Sequence, residues 1–177
     1  MILSIDTARK LLNLGDITDE LLKMKLDAIE QAIRAYTNNS FQNRGIRAIC
    51  DISDGTLHGD FTGFSVGDTV QISKSAYSGG LHVVEFLGGS QSAMHTDGTL
   101  ADETGVLVTK IEYPADVVAC AANMLQWDVT NRGKIGIQSE TLSRHSVTYF
   151  NMDGDNSVMG YPRSLFGCLT PYRKARC

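Results

Sequence analysis

The run Tyr113-Pro114-Ala115-Asp116-Val117-Val118-Ala119-Cys120-Ala121-Ala122-Asn123-Met124-Leu125-Gln126-Trp127-Asp128-Val129-Thr130-Asn131-Arg132-Gly133 carries its own punctuation. Pro114 suits the first position of a helix, where its missing N–H has no partner to lose. Asp116 in the first turn and Arg132 in the last complement the helix dipole, and Gly133 supplies a left-handed stop. Between them Val117, Val118, Ala121, Met124 and Leu125 recur with helical period. Cys120 and Trp127, seven residues apart, widen that stripe on one flank. A helix apolar around more than half its girth needs neighbours on two sides. The spacing therefore predicts a central helix, packed within its own chain and available to an assembly.

Working outward, Ser4 to Leu12 predicts a short helix capped by Ser4 or Asp6 and stopped at Asn13-Leu14-Gly15. Thr18 is placed to cap a longer helix, with Asp19 and Glu20 in its first turn. Leu22, Leu26, Ile29, Ile33 and Tyr36 alternate in steps of four and three along it, and Asn38-Asn39-Ser40 ends it. From Arg44 to Glu112 glycines crowd in and the helical period disappears. Ile46–Ile52, Val66–Ile72, Leu81–Leu87 and Gly105–Ile111 read as strands separated by glycine turns, which predicts a small barrel of the SH3-like kind. Ile135 to Phe150 is polar and β-prone, fitting either a surface hairpin or a segment packed on a neighbouring subunit or lining a channel. Met152 to Met159 reads as a loop. Tyr161–Leu169 reads as a short helix opened by Pro162, and Tyr172–Cys177 as a free tail. The expected fold is α+β: a small helical-bundle core over residues 1–43 and 113–177, an inserted antiparallel barrel over 44–112, and an extended C-terminal tail.

The 177 residues suffice for one domain with a small insert, and 42% hydrophobic with 20% charged residues is globular composition. No apolar run approaches the roughly 20 residues of a membrane helix, and the first residues lack the pattern of a signal peptide. Cys50, Cys120, Cys168 and Cys177 are scattered, which argues against a zinc site and predicts reduced thiols in a cytoplasmic protein, Cys120 among them in the core. Net charge is −4, unevenly spread: the last 22 residues hold Arg163, Arg173, Lys174 and Arg176 and no acid. A basic end on an acidic body fits a docking tail, a nucleic-acid contact or a solvated terminus.

No constellation nominates chemistry. His58, His82, His95 and His145 are far apart in sequence and none stands beside a Cys or carboxylate at metal-ligand spacing; His82, in a strand, reads as an outward or satisfied side chain. Asp153-Gly154-Asp155-Asn156-Ser157 starts like a calcium loop, but Val158 and Ser164 stand where Gly and Glu are needed. Asp51 and Asp54 read as turn formers. No hydrolase, zincin or phosphate-loop motif occurs. A sequence pI of about 5.5 argues against duplex readout, while still suiting a surface past which DNA slides without sticking.

In order and spacing, Ile33-Arg34-Ala35-Tyr36-Thr37, Tyr113-Pro114-Ala115-Asp116-Val117, the helix to Asn131-Arg132, Ile137-Gln138-Ser139-Glu140-Thr141, Ser146-Val147-Thr148-Tyr149, Tyr161-Pro162 and Tyr172-Arg173-Lys174 resemble the head–tail connector (adaptor) proteins of long-tailed double-stranded-DNA phages. The resemblance covers roughly residues 1–43 and 113–177. Val66-Gly67-Asp68-Thr69-Val70 and Tyr77-Ser78-Gly79-Gly80 are similar to insertions in some members; the minimal members lack the insert, and its orientation and role stay open. The resemblance implies a virion protein at the head–tail junction, made in the host cytoplasm, with no catalytic, cofactor or metal residues. It implies a homo-oligomeric ring, usually of twelve subunits, between the portal and a stopper or tail-completion protein, around double-stranded DNA that passes without sequence readout. By that analogy Tyr172, Arg173, Lys174 and Arg176 are the portal-contact candidates. Trp127, Cys120, Ile135 and Ile137 are the subunit-interface candidates. The competing reading is a stand-alone module whose SH3-like barrel grips peptide or nucleic acid, which requires Phe61, Phe64, Tyr77 and Phe86 to cluster on one face.

Overall fold

A computed structural model describes residues 1–131, 139–142, 145–148 and 156–175. The chain divides into two compact units, one of Met1 with Ser40–Tyr113 and the other of Ile2–Asn39 with Pro114–Cys177.

The first unit is a closed antiparallel barrel. Its strands are β1 (Gln42–Ser53), β2 (Thr56–His58), β3 (Thr69–Ser73), β4 (Gly80–Leu87), β5 (Ala93–Thr96) and β6 (Glu103–Ile111), in the spatial order β1-β2-β5-β4-β3-β6. Closure is possible because β1 is long and bent. It pairs with β2 through Ser53↔Thr56 and with β6 through Ala48↔Val108, with register breaks between Gln42 and Arg47 and again between Cys50 and Ile52. The β1–β2 turn is Asp54-Gly55 with φ of 50° and 72°, the mirror-image geometry that matches strand twist. Gly59 is needed for a second reason: a Cβ there would lie 2.8 Å from the Cβ of Cys50 and 3.1 Å from the Ile49 carbonyl oxygen. Ala48, Cys50, Ile52, Leu57, Val70, Ile72, Val84, Met94, Val106 and Val108 point inward, and Phe61, Phe64 and Leu100 join the same core. Phe61 and Phe64 meet edge to face at 5.9 Å.

The second unit holds α1 (Ile5–Leu11), α2 (Asp19–Thr37) and α3 (Ala115–Asn131). Ser4 caps α1 by accepting from the Thr7 amide at 3.2 Å, and Thr18 caps α2 by accepting from Leu21. Asn38 ends α2 in the left-handed region, φ 48°. Leu22, Leu26, Ile29 and Ile33 of α2 and Val117, Cys120, Ala121, Met124 and Leu125 of α3 are buried, the spacing each helix needs to face a neighbour. Asp128 continues the buried face of α3 and pairs with Lys25 of α2. Pro114 stands just before α3, its carbonyl accepting the first helical bond from Val118 at 3.1 Å. Two-stranded ladders follow: β7 (Ser139–Leu142) with β8 (His145–Thr148), then β9 (Ser157–Val158) with β10 (Tyr161–Pro162). The second closes on Met159-Gly160, with φ of 50° and 77°, where the sequence predicted a plain loop. A 3-10 segment, Arg163–Tyr172, completes the chain as described.

The expected helical-bundle core is not what forms. Among the described residues α2 and α3 are the only long helices; α1 has two turns, and the C-terminal segment is 3-10 in place of α. The cause is local. Gly167 and Pro171 sit inside that segment, so its α-helical propensity is low and Pro171 brings no amide donor to a ladder. The tail is not free as far as Ala175, because the end of α2 holds it.

Candidate functional site

Helix C-termini leave carbonyls without intrahelical donors, and the last residues of the chain fill that vacancy on α2. The Lys174 amide donates to the Thr37 carbonyl at 2.8 Å. The side-chain amides of Asn38 and Asn39 donate to the carbonyls of Ala175 at 2.9 Å and Tyr172 at 3.3 Å. Arg173 lays its guanidinium over the Tyr36 ring at 5.0 Å. The Tyr172 hydroxyl donates to both carboxylate oxygens of Asp116 at 2.8 Å, and this bond raises its pKa above the ordinary tyrosine value. The charged ends of Arg173 and Lys174 still lie at the surface. Of the portal-contact candidates, then, Tyr172, Arg173 and Lys174 sit together in one docked strap, and Arg176 lies outside the described residues.

The interface candidates separate. Trp127 is half-buried, its ring 5.5 Å from Tyr161 of its own chain. Tyr161 in turn meets Phe166 at 6.3 Å, and Phe166 meets Tyr36 at 4.7 Å, so four rings join α2, α3, β10 and the 3-10 segment. Cys120 is buried and forms a disulfide with Cys168 across 48 residues of sequence, with a Cα separation of 6.5 Å. Reduced, isolated thiols were expected at both positions; packing of the 3-10 segment on α3 overturns that. Ile135 and Ile137 lie outside the described residues. An apolar patch expected on the flank of α3 is found instead on α2. Leu21 and Met24 are 40% and 61% exposed, beside a shallow groove lined by Lys23, Asp27, Ala28 and Gln31. At about 100° per residue Met24 lies opposite the stripe of Leu22, Leu26, Ile29 and Ile33, and Leu21 lies on its flank.

On the barrel the aromatic supply is split. Phe61 and Phe64 are core, whereas Tyr77 is 82% and Phe86 55% exposed. Tyr77 precedes the start of β4 and Phe86 is near its end, about 20 Å away at strand rise. Phe86 faces His95 at 5.8 Å. Tyr77 rides on a loop shaped by Glu103, whose carboxylate accepts from the Ser75 hydroxyl, from Ala76 N at 2.6 Å and from Ser78 N at 3.2 Å. These donors, the Ser75 hydroxyl foremost, hold the Glu103 pKa below the ordinary value. His82, half-buried in its strand, has its two ring nitrogens 3.1 and 3.2 Å from the carbonyls of Asp97 and Ser78, to one of which a neutral ring donates. Asp51 and Asp54 do not pair: Asp51 accepts from Gly105 N, and Asp54 N donates to Asp102. Burial pushes the Cys50 thiol up to about 12, with the Asp51 charge adding to it, so it is an inert core group. Among the described residues no cluster of three His, Cys, Asp or Glu could hold a metal, and no helix is long and apolar enough to cross a membrane. Residues 153–155 of the calcium-like loop lie outside the described residues.

No protein-family model matches the chain, and no curated protein matches it in sequence. What the described surface offers is contact area. Sequence reading missed Leu21 and Met24 because a second stripe on a helix whose first stripe already satisfies the core pattern looks like ordinary surface. The signal was present in the Leu21-Leu22 doublet followed by Met24.

Proposed function

We propose that this chain is a structural component of a phage neck, assembling as a homo-oligomeric ring under the portal, joining head to tail and extending the DNA channel. The observation that carries the reading is the second apolar stripe of α2. Leu21 and Met24, with Ala28 one turn on, form a contact surface on a helix already seated in its own core. A neighbouring copy is the occupant proposed, because a ring repeats one contact between like subunits. The resemblance in element order supports the same reading, as does the basic strap at the chain end, which suits docking on the portal. An acidic chain of net charge −4 suits a channel that double-stranded DNA traverses without adhering. The stopper or tail-completion protein is the proposed partner on the far side of the ring. Chemistry has no part in this reading, and nothing catalytic is assigned.

The test is assembly. Purified protein mixed with cognate portal rings is expected to co-sediment and to form rings visible by electron microscopy. Met24→Glu is expected to leave a folded monomer of unchanged Tm that no longer forms them. Wild-type protein that never joins a portal ring would end the proposal.

A further inference from the structure

The 3-10 segment Arg163–Tyr172 is held almost entirely by side chains. Preceded by Pro162 and interrupted by Gly167 and Pro171, it lacks the α-helical ladder that would stiffen it. Its anchors are Phe166, 1% exposed in the four-ring cluster, Leu169, fully buried, and between them the Cys168 sulfur bound to Cys120 of α3. Downstream, the Tyr172–Ala175 strap is hydrogen-bonded to Thr37, Asn38, Asn39 and Asp116 and makes a cation–π contact with Tyr36, most of these at the exposed surface. The disulfide therefore sits midway along the docked stretch. The two residues differ in burial: Cys120 is 3% exposed, whereas Cys168 is half-buried on the 3-10 segment. A bond that ties a terminal segment to a core helix, with one of its two residues half-buried, has the layout of a reversible fastening.

We propose that Cys120–Cys168 is a redox-operated staple that sets whether the C-terminal stretch 163–175 is docked or released. The reductant is a dithiol, either a small molecule or a dithiol oxidoreductase. One of its thiolates attacks the sulfur of the half-buried Cys168, the Cys120–Cys168 bond breaks, and Cys120 departs as a thiolate that takes up a proton. The second reductant thiolate then attacks the reductant sulfur of the mixed disulfide and releases Cys168 as a thiolate, which is protonated in turn. Two electrons pass to the protein, two thiols form, and the reductant leaves as its own disulfide. Once the staple opens, Phe166, Leu169 and the surface bonds of the strap are what seat the segment. Each excursion uncovers the rings of Tyr36, Tyr161 and Trp127 and frees Arg173 and Lys174 from the end of α2. The staple stands apart from the ring proposal, since it concerns the chain by itself.

Hydrogen exchange read by mass spectrometry on the full-length chain tests it, in a Cys50→Ser, Cys177→Ser background that keeps this pair alone. Treated with oxidised glutathione, the protein is expected to be two hydrogens lighter than after dithiothreitol, with peptides over 163–175 protected. Reduction is expected to speed exchange there by about tenfold, as local opening does, and to leave the barrel peptides unchanged. Cys168→Ser should match the reduced pattern whether or not reductant is present. Should that variant fail to fold, the oxidised and reduced background protein still decides the matter. No mass difference, or equal exchange over 163–175 in the two states, overturns the proposal.

Discussion

Glu103 organises the Lys74–Ser78 loop with a single carboxylate, and the arrangement has a sign that can be checked. Its folded pKa is depressed by the Ser75 hydroxyl and the loop amides, so the stabilisation is fully present above the ordinary glutamate value. It is lost as pH falls through the lower folded value. Protection of the Ala76 to Ser78 amides, taken relative to the intrinsic exchange rate at each pH, is expected to be high at neutral pH and to fall in that acidic window, and Glu103→Gln should remove this change in protection. Gly59 admits no side chain: Gly59→Ala forces a 2.8 Å Cβ contact with Cys50 and is expected to cost about 1–3 kcal/mol in urea denaturation, as overpacking does. Phe166→Ala, at the centre of the ring cluster, should cost about 3–5 kcal/mol by the same measurement. Turn chemistry was legible at this scale. Asp54-Gly55 reads as a turn from its residues and sits at positive φ. The Cys120–Cys168 bond was not legible, because no spacing rule links two cysteines whose meeting depends on how a 3-10 segment packs on a helix.

Among the elements, α2 is the most fully written in sequence. Thr18, the four-and-three seam and Asn38 each act where the pattern places them. Its outer stripe is the part that sequence leaves undetermined, because exposure and contact look alike until the inner stripe is seated. That is why Met24→Glu is the informative change: a residue 61% exposed in the isolated chain should tolerate a charge within about 0.5 kcal/mol, so a loss of assembly cannot be laid to unfolding. The barrel strands divide in the same way. The segments around β1, β3, β4 and β6 carry alternation, but β2 has three residues and β5 four, too few to show a period. The C-terminal segment shows propensity overridden: apolar spacing suggested a helix, and two prolines with a glycine made it 3-10.

At the scale of the molecule, the α+β character was readable and the helical bundle was not, since only two helices long enough to pack as a pair form among the described residues. The tail was misjudged because its charges dominate the sequence, whereas its backbone amides decide its place. Deleting residues 172–177 is expected to leave a folded protein that no longer co-sediments with portal. It also removes the donor to Thr37, which should appear as faster exchange at the end of α2.

The barrel's own ends lie side by side: Glu112 N donates to the Phe41 carbonyl at 2.9 Å, and the rings of Phe41 and Tyr113 meet at 5.0 Å. A module whose two termini emerge together behaves like a cassette. Residues 40–113 can be lifted out and replaced by a few glycines without stretching the parent chain, and the excised piece, with its interior already filled, should give a dispersed amide spectrum alone.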